Sequence, residues 1–292
     1  MTRILKLLTF LAPAQAWCCK ELRCQSFSTL GSQAGVNDPR GTLAVFSVEY
    51  IKAKRPVALV AENVAALPSR HRHMLEWITT ELEAAPYKVW WKILDTRDYG
   101  IPHRRHRWYL VAIREDHVRR AASEDTIFPA PLNFTVPLRS IAEPLPQGQW
   151  QALPPEGNKR RHKNVVSAYT QAASKGINPF ETPIVVDMGV SERFASFGAD
   201  FCPCLTRSRA GDFGYWCSTK GGPLSIADMC RLQGFDEAEL DWAGAGVTAR
   251  QFAACLGNAM SVNVLRHLVP RVLYYAKLAS DEEYAHMLGS TP

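Results

Sequence analysis

The segment from residue 23 to residue 64 decides how this chain is to be understood. It reads RCQSFS at 23–28, DPRGTL at 38–43 and VALVAENV at 57–64. It places a thiol, Cys24, upstream of a carboxylate, Glu62, that closes an apolar run, with a Gly- and Ser-rich segment between them. A cysteine adds to an electron-poor ring only as the thiolate, and the ring must accept a proton or a strong hydrogen bond elsewhere. Taken alone, a cysteine is usually a small buried hydrophobe and Glu-Asn after a strand is usually a turn, so the segment needs further motifs before it indicates catalysis.

A second informative segment reads DYGIPHRRHRWYLVAI at 98–113. Arg105 and Arg107 lie two positions apart where the chain enters an apolar run that predicts a strand, so their side chains are expected to share one face. A guanidinium can bind a carboxylate through its planar fork, or donate to the carbonyl oxygen of a base. The alternative is a solvated basic turn, but the apolar strand that follows favours at least one inward-facing arginine.

Two further motifs lie towards the C-terminus. The sequence GPLSIADMCRLQGF at 222–235 predicts a short helix that Ser225 caps and Gly234 ends. The sequence LGNAMSVNVL at 256–265 predicts a Gly-Asn turn that leads into another helix. Each motif alone is common in proteins. The order of all five along the chain, at 23–28, 62–64, 98–107, 222–235 and 256–265, is more informative than any one of them.

Together the five segments resemble the signature motifs of the cytosine-C5 DNA methyltransferase family, in the family's order across residues 23–265. The family's motifs read Pro-Cys-Gln-x-Phe-Ser, Glu-Asn-Val, Tyr-Gly-Val-Pro-Gln-x-Arg-x-Arg and Leu-Thr-x-x-Glu-x-x-Arg-Leu-Gln-Gly-Phe, followed by a Gly-Asn turn. The chain departs from these motifs at Arg23, where the family has proline, at His103, where it has glutamine, and at Asp228, where it has glutamate.

The resemblance implies transfer of a methyl group from S-adenosylmethionine to C5 of a cytosine flipped out of duplex DNA. Cys24 would add to C6 of the ring, and Glu62 would engage N3 and the exocyclic amine. Arg107 would hold the base carbonyl oxygen and Arg105 would steady the site, and no metal is implied. The residues implied as cofactor contacts are Leu43, Gly257, Asn258 and Ala259, and those implied as DNA contacts are Gln25, Ser28, Arg40 and Asn63.

The loop PCLTRSRAG at 203–211 adds two candidate DNA contacts, Arg207 and Arg209. It mixes arginines, hydroxyls and glycine, as a loop that reads a DNA groove would. An ordinary surface turn is the alternative.

The hydrophobic pattern predicts an α/β fold. Its elements form the second half of a doubly wound, Rossmann-like sheet of the S-adenosylmethionine-dependent methyltransferase type, incomplete in this chain. Strands are expected over 57–61, ending at Glu62, and over 87–94 and 108–113, and a helix over 70–84. A further helix is expected over 42–54, with an apolar side made of Leu43, Phe46, Val48, Tyr50 and Ile51.

The predicted organisation has a catalytic core over 23–115 and an insertion over 116–221. Prolines recur between 129 and 155 and interrupt any long element, so the insertion is expected to be a small irregular domain that recognises the target. The core would resume over 222–280 with a long C-terminal helix beyond Asn258, and 281–292 would form a tail.

The composition is that of an ordinary globular protein. Of 292 residues, 47% are hydrophobic and 21% charged, and no apolar run is long enough to cross a bilayer. The net charge of +6 is concentrated in basic clusters at 104–107, 119–120 and 159–163, which suit a polyanion such as DNA. For 159–163 a solvated loop is an equal alternative. The 8 cysteines show no zinc-ligand spacing.

Residues 1–22 form an atypical N-terminal segment. Residues 1–16 have the basic start, apolar stretch and Ala-x-Ala ending of a signal peptide. A working thiolate needs a reducing compartment, so association with DNA in the nucleus or cytoplasm is expected, with an organelle or secretory location as the alternative.

The resemblance also indicates what should precede the catalytic cysteine. In the family a Gly-rich loop, an acid and an Asp-Phe pair hold the cofactor there. The 23 residues before Cys24 contain no glycine, and one βαβ unit needs about 30 residues. We therefore expect the cofactor-binding half to be missing, through truncation or a replaced start. S-adenosylmethionine is then expected to bind weakly, and the chain alone to be weakly active or inactive.

Two other functions compete with DNA methylation. A relative that methylates tRNA would carry Cys-Phe-Thr in the recognition region, and the chain has Cys-Leu-Thr at 204–206, which counts against RNA. A non-catalytic nucleic-acid-binding remnant is favoured by Arg23 and by the expected absence of the cofactor half. Target sequence and oligomeric state are not indicated by the sequence.

Overall fold

The structure is a computed structural model that describes residues 17–21, by their backbone, together with residues 42–191 and 197–289. The chain divides into two compact units. The first contains the described residues up to Asp95, then His106–Pro131 and the described residues from Val264 onward. The second contains Thr96–Arg105 and Leu132–Asn263. These units do not coincide with the predicted ranges, because the second extends through 222–263, which the sequence had assigned to the core.

The first unit contains a four-stranded sheet in the order β1-β2-β4-β3. Strands β1 and β2 are parallel, and β4 is antiparallel to both of its neighbours. The α/β class is confirmed, and β3 and β4 flank the arginine-containing segment as predicted. The strands are β1 Trp17–Glu21, β2 Ala58–Val64, β3 Tyr87–Asp95 and β4 His106–Arg114.

Strand β2 continues two residues beyond its predicted end. Glu62 pairs with Tyr109 and Val64 with Arg107 in the register between β2 and β4. The prediction that Glu62 closes the strand was therefore wrong, because the neighbouring strand β4 supplies partners for the backbone as far as Val64.

Helix α1 spans Thr42–Lys54, the predicted range. The prediction that Phe46 and Tyr50 belong to its apolar side was wrong, since they are 67% and 47% exposed. The buried stripe is instead Ala44, Val48 and Ile51. With 3.6 residues per turn, positions 46 and 50 lie on a different side of the helix from positions 44, 48 and 51.

The helix predicted over 70–84 consists of two helices, α2 Leu67–Arg70 and α3 Arg72–Ala84. Proline lies in the first turn of α2, where its missing N–H costs nothing. His71 breaks the path between the helices with φ −130° and ψ 44°. Apolar side chains of α1 and α3 pack on Leu59 and Ala61 of β2, so one face of the sheet is covered by helices.

The second unit has a small antiparallel sheet in the order β6-β5-β7-β8. Between the prolines at 129 and 155 the chain forms no long element, as predicted, but the predicted irregular character does not extend further, because α5, Lys159–Ala173, has 15 residues. Pro154 and Pro155 precede this helix, and Asn158 caps it by accepting from the Arg161 N–H. The strands are β5 Ile184–Asp187, β6 Phe197–Ala199, β7 Tyr215–Cys217 and β8 Gly222–Pro223.

The capped helix predicted within 222–235 is confirmed as α7. Ser225 and Asp228 form a reciprocal capping box, and Gly234 ends the helix in the left-handed conformation with φ 78°. A helix beyond Asn258 is confirmed as well, as α9. The remaining helices are α4 Glu124–Ile127, α6 Arg207–Gly211, α7 Ile226–Gln233, α8 Ala249–Asn258, α9 Val262–Tyr275 and α10 Asp281–Gly289. Across residues 17–21, 42–191 and 197–289, none of the helices combines the length and apolar character needed to cross a bilayer.

Candidate functional site

A buried ion pair joins two neighbouring strands of the first unit. The Nε atom of Arg107 lies 3.0 Å from Oε1 of Glu62, and the two side chains are 13% and 3% exposed. Leu59 and Ala61 face the covering helices, so the alternation along β2 directs Glu62 to the opposite face of the sheet. A carboxylate buried to this degree needs a charged partner, and Arg107 supplies it.

Asn63 follows Glu62 in β2 and is 1% exposed. Its Oδ1 atom accepts a hydrogen bond of 2.7 Å from the Val64 N–H. Successive residues of a strand point to opposite faces, so Glu62 and Asn63 do not share a face. That Asn63 contacts DNA stays a prediction.

Arg105 has a different environment from Arg107. Its guanidinium, in the second unit, donates to the carbonyl oxygens of Leu205 at 2.9 Å, Gly257 at 3.3 Å and Ala259 at 2.8 Å. The expectation that the two arginines share a strand face is not met, because β4 begins at His106 and strand alternation does not extend to Arg105. The side chain is 2% exposed, and its contacts are those of a buried positioning residue.

The prediction of a Gly-Asn turn was wrong, because Gly257 and Asn258 are the last two residues of helix α8 and the chain turns only from Ala259. The end of α8 with Ala259, called the Gly257–Ala259 turn below, is held from two sides. Gln233 donates through Nε2 to the carbonyl oxygens of Leu256 and, at 3.2 Å, of Ala259, which Arg105 also contacts. A Cβ on Gly257 would lie 2.5 Å from the carbonyl oxygen of Thr206, so only glycine permits this close approach. The sequence analysis missed Gln233 as a site residue, although the Leu-Gln-Gly-Phe motif contains it.

His103 stands where the resemblance expected glutamine, and it is fully buried. Its Nε2 accepts from the Leu205 N–H at 3.0 Å, so the proton of the neutral ring lies on Nδ1, which donates to the Leu232 carbonyl at 3.0 Å. The backbone of Leu205 is therefore held at its N–H by His103 and at its carbonyl by Arg105. An imidazole here makes one donor and one acceptor contact, which a glutamine amide could also make.

The two arginines predicted to read a DNA groove lie on α6. Arg207 begins this helix and is exposed, whereas Arg209 lies 3.3 Å from Oδ1 of Asp187 through its Nε atom. Burial raises the pKa of Asp187, and Arg209 and the N–H of Gly189 act in the opposite direction. Arg207 is thus the more available of the two arginines for a polyanion.

Several predicted site residues cannot be placed relative to Glu62. Cys24, Gln25, Ser28 and Arg40 lie outside the described residues, and Leu43 is described only by its backbone in α1. Asn258 is half-buried at the end of α8. Within the described residues, no group of three or more His, Cys, Asp and Glu side chains is suited to a metal ion.

Comparison with solved structures identifies the fold. The fold matches the Entamoeba histolytica methyltransferase EhMeth with a TM-score of 0.59 at 14% sequence identity, over 95% of this chain and 81% of that chain. The fold is therefore that of the S-adenosylmethionine-dependent methyltransferases.

Comparison of sequences then gives the family. The family model described as C-5 cytosine-specific DNA methylase matches residues 23–273, and the chain belongs to this family. It is 29% identical over 268 residues to the Type II methyltransferase M.NlaX of Neisseria lactamica, covering 89% of this chain and 76% of that protein. It is 37% identical over 125 residues to the Type II methyltransferase M.MthTI of Methanothermobacter thermautotrophicus, covering 42% of this chain and 36% of that protein.

Proposed function

We propose that this chain is a DNA (cytosine-5-)-methyltransferase acting on a cytosine flipped out of duplex DNA. The observation that carries the proposal is the buried pair of Glu62 and Arg107, which holds a carboxyl group in a fixed orientation on one face of the sheet. Membership in the cytosine-specific methylase family supports the reaction class.

In the proposed chemistry, the Cys24 thiolate adds to C6 of the ring and the electron pair of the C5–C6 double bond moves towards C5. Glu62 engages N3 and the exocyclic amine, which stabilises the negative charge that develops in the ring. S-adenosylmethionine, when bound, supplies an electrophilic methyl group. Loss of the C5 proton and departure of the Cys24 thiolate from C6 then restore the aromatic ring and the free enzyme.

Arg107 supports the reaction by holding the carboxyl group of Glu62 in place. Its Nε atom contacts the carboxyl group, and its Nη1 donates to the His106 carbonyl at 2.8 Å, so the guanidinium itself is fixed. A guanidinium fixed beside the carboxyl group can contact the carbonyl oxygen of the base without rearrangement.

The described residues fit one side of a cofactor site. The turn at Gly257–Ala259 is rigid because Arg105 and Gln233 hold its carbonyl groups, and the half-buried Asn258 lies within it. In the proposal, Asn258 and the neighbouring backbone contact S-adenosylmethionine. Arg105 acts by positioning this turn and does not contact the base.

The proposal assigns the chain to DNA and not to RNA. The names of the two sequence relatives describe type II methyltransferases, and the family is one of DNA methylases. A catalytic thiolate also requires a reducing compartment, so we place the enzyme with DNA in the nucleus or cytoplasm.

Transfer of radiolabelled methyl groups from S-adenosylmethionine tests this function. Three substrates should be compared: a mixed-sequence DNA duplex, the same duplex with every cytosine replaced by 5-methylcytosine, and transfer RNA. Label should enter only the first, because only it offers an unmethylated C5 in DNA. Equal incorporation into the fully methylated duplex, or preferential incorporation into the RNA, would overturn the proposal.

A further inference from the structure

A band of positive charge on the second unit is not used by the chemistry above. The predicted alternatives for residues 159–163 were a polyanion site or a solvated loop, and these residues form the first turn of α5. Arg160 and Lys163 are exposed there. Helix dipoles favour anionic side chains at this end, yet the first turn of α5 contains no acidic residue. The cations therefore destabilise the start of the helix. Residues that break such a local rule often do so because a function requires them.

The first turn of α5 is joined to a second helix through one aspartate. Arg161 Nη2 donates to the carbonyl oxygen of Asp212 at 3.1 Å, and Arg250 Nη2 donates to Oδ1 of the same residue at 2.6 Å. Arg161 comes from α5 and Arg250 from α8, so basic side chains of two helices converge beside Asp212. Arg250 remains 76% exposed in this pair and can also reach a ligand.

Helix α6 carries a further basic residue, close to the Gly257–Ala259 turn. Asp212 follows the end of α6, and Arg207 stands at its start. A Cβ on Gly257 would lie 2.8 Å from the backbone nitrogen of Arg207, so the start of α6 abuts the Gly257–Ala259 turn. Four residue steps at about 1.5 Å each separate the two ends of α6 by roughly 6 Å, a span within reach of successive phosphates on one DNA strand.

We infer that Arg160, Arg161, Lys163, Arg207 and Arg250, together called the basic surface, bind consecutive backbone phosphates of duplex DNA. This inference rests on the proposed function, because it takes duplex DNA as the partner. Phosphate contacts of this kind position the duplex and contribute affinity without reading sequence. The basic surface therefore sets how the DNA lies on the second unit, and base recognition belongs to other residues.

The test uses the full chain and a duplex of alternating A and T. This duplex contains no cytosine, so its binding does not depend on methyl transfer. The variant Arg160→Ala/Lys163→Ala should be compared with Arg139→Ala/Lys175→Ala, which removes the same charge from exposed residues of the same unit outside the basic surface. Dissociation constants should be measured by fluorescence anisotropy between about 50 and 200 mM salt.

Loss of a phosphate contact should make the negative slope of log affinity against log salt shallower by about 0.9, and weaken binding roughly tenfold near 0.1 M salt. The variant Arg160→Ala/Lys163→Ala should show the slope change and affinity loss of up to two phosphate contacts, and Arg250→Ala those of one. The control should show neither change. The thermal unfolding midpoint of the first variant should stay constant or rise, since cations leave a helix N-terminus.

Three outcomes would overturn the inference: equal losses in the control, unchanged salt slopes, or a loss of affinity that accompanies a lower unfolding midpoint. Duplex RNA that binds as tightly and shows the same losses would contradict the assignment to DNA. Failure of the proposed function is distinguishable, because a chain that transfers no methyl group can still show these losses on the A·T duplex.

Discussion

Arg107 Nε lies 3.0 Å from Glu62 Oε1, and this contact joins a strand that follows the predicted nucleophile to the strand that carries the arginine motif. Both side chains are largely removed from water, so neither charge can be deleted without leaving the other uncompensated. The pair therefore combines two tasks, because it holds the carboxyl group in place and it neutralises a charge that is buried between the strands. Substitutions at the two positions can separate these tasks.

Replacing Glu62 by glutamine keeps the shape of the side chain and removes its acid. Methyl transfer should fall by roughly a hundredfold or more, in line with the contribution of a positioned acid or base. Affinity for duplex DNA should remain within a few-fold of the unmodified chain, because a side chain that is 3% exposed does not reach the phosphate backbone. Steady-state kinetics and anisotropy measure the two effects separately. A parallel collapse of affinity and rate would indicate a structural role for Glu62.

Replacing Arg107 by methionine should destabilise the protein. The substitution leaves the Glu62 carboxylate buried without its cation, which typically costs about 3–5 kcal/mol. The double variant Glu62→Gln/Arg107→Met should recover most of this loss, because a neutral amide replaces the charge. Urea unfolding of the single and double variants measures the free energies. Additive losses in the double variant would mean that the two side chains do not interact energetically.

Replacing Arg105 by lysine tests whether this arginine is a positioning residue. One ammonium cannot reach all three carbonyl oxygens that the guanidinium contacts, and each buried carbonyl left without a donor costs about 1–3 kcal/mol. Amide hydrogen exchange should accelerate around 205 and around 257–259. Arg104→Lys is the control, because Arg104 is exposed one position away. Unchanged exchange in Arg105→Lys, with activity nevertheless lost, would instead point to direct contact with substrate.

The sequence predicts best those features that depend on local pattern. Ser225 and Gly234 mark the ends of a helix by capping chemistry, and the apolar run around Trp108 marks a strand. The buried side of α1 was harder to predict, because the large aromatic side chains of Phe46 and Tyr50 also suggest burial. Their exposure depends on where the sheet lies, which the helix sequence alone does not specify.

The environment of Arg105 could not be predicted for a different reason. Its partners lie 100 or more positions further along the chain, at Leu205, Gly257 and Ala259. No local pattern relates an arginine to backbone carbonyl groups at that distance, and only the tertiary fold brings them together. The start of α5 shows that local signals can mislead as well. Two prolines that predict a break in the chain stand just before a helix.

The central claim is that Cys24 attacks the cytosine ring while Glu62 supports the addition. A duplex that contains 5-fluorocytosine measures this directly, because fluorine at C5 cannot leave as a proton does and the enzyme stays attached to the DNA. With S-adenosylmethionine in large excess, because weak cofactor binding is expected, the full chain should form an adduct that survives denaturing electrophoresis. Cys24→Ala should form none, while Cys255→Ala, which removes an exposed thiol elsewhere, should form it normally. An adduct that persists in Cys24→Ala would contradict the account.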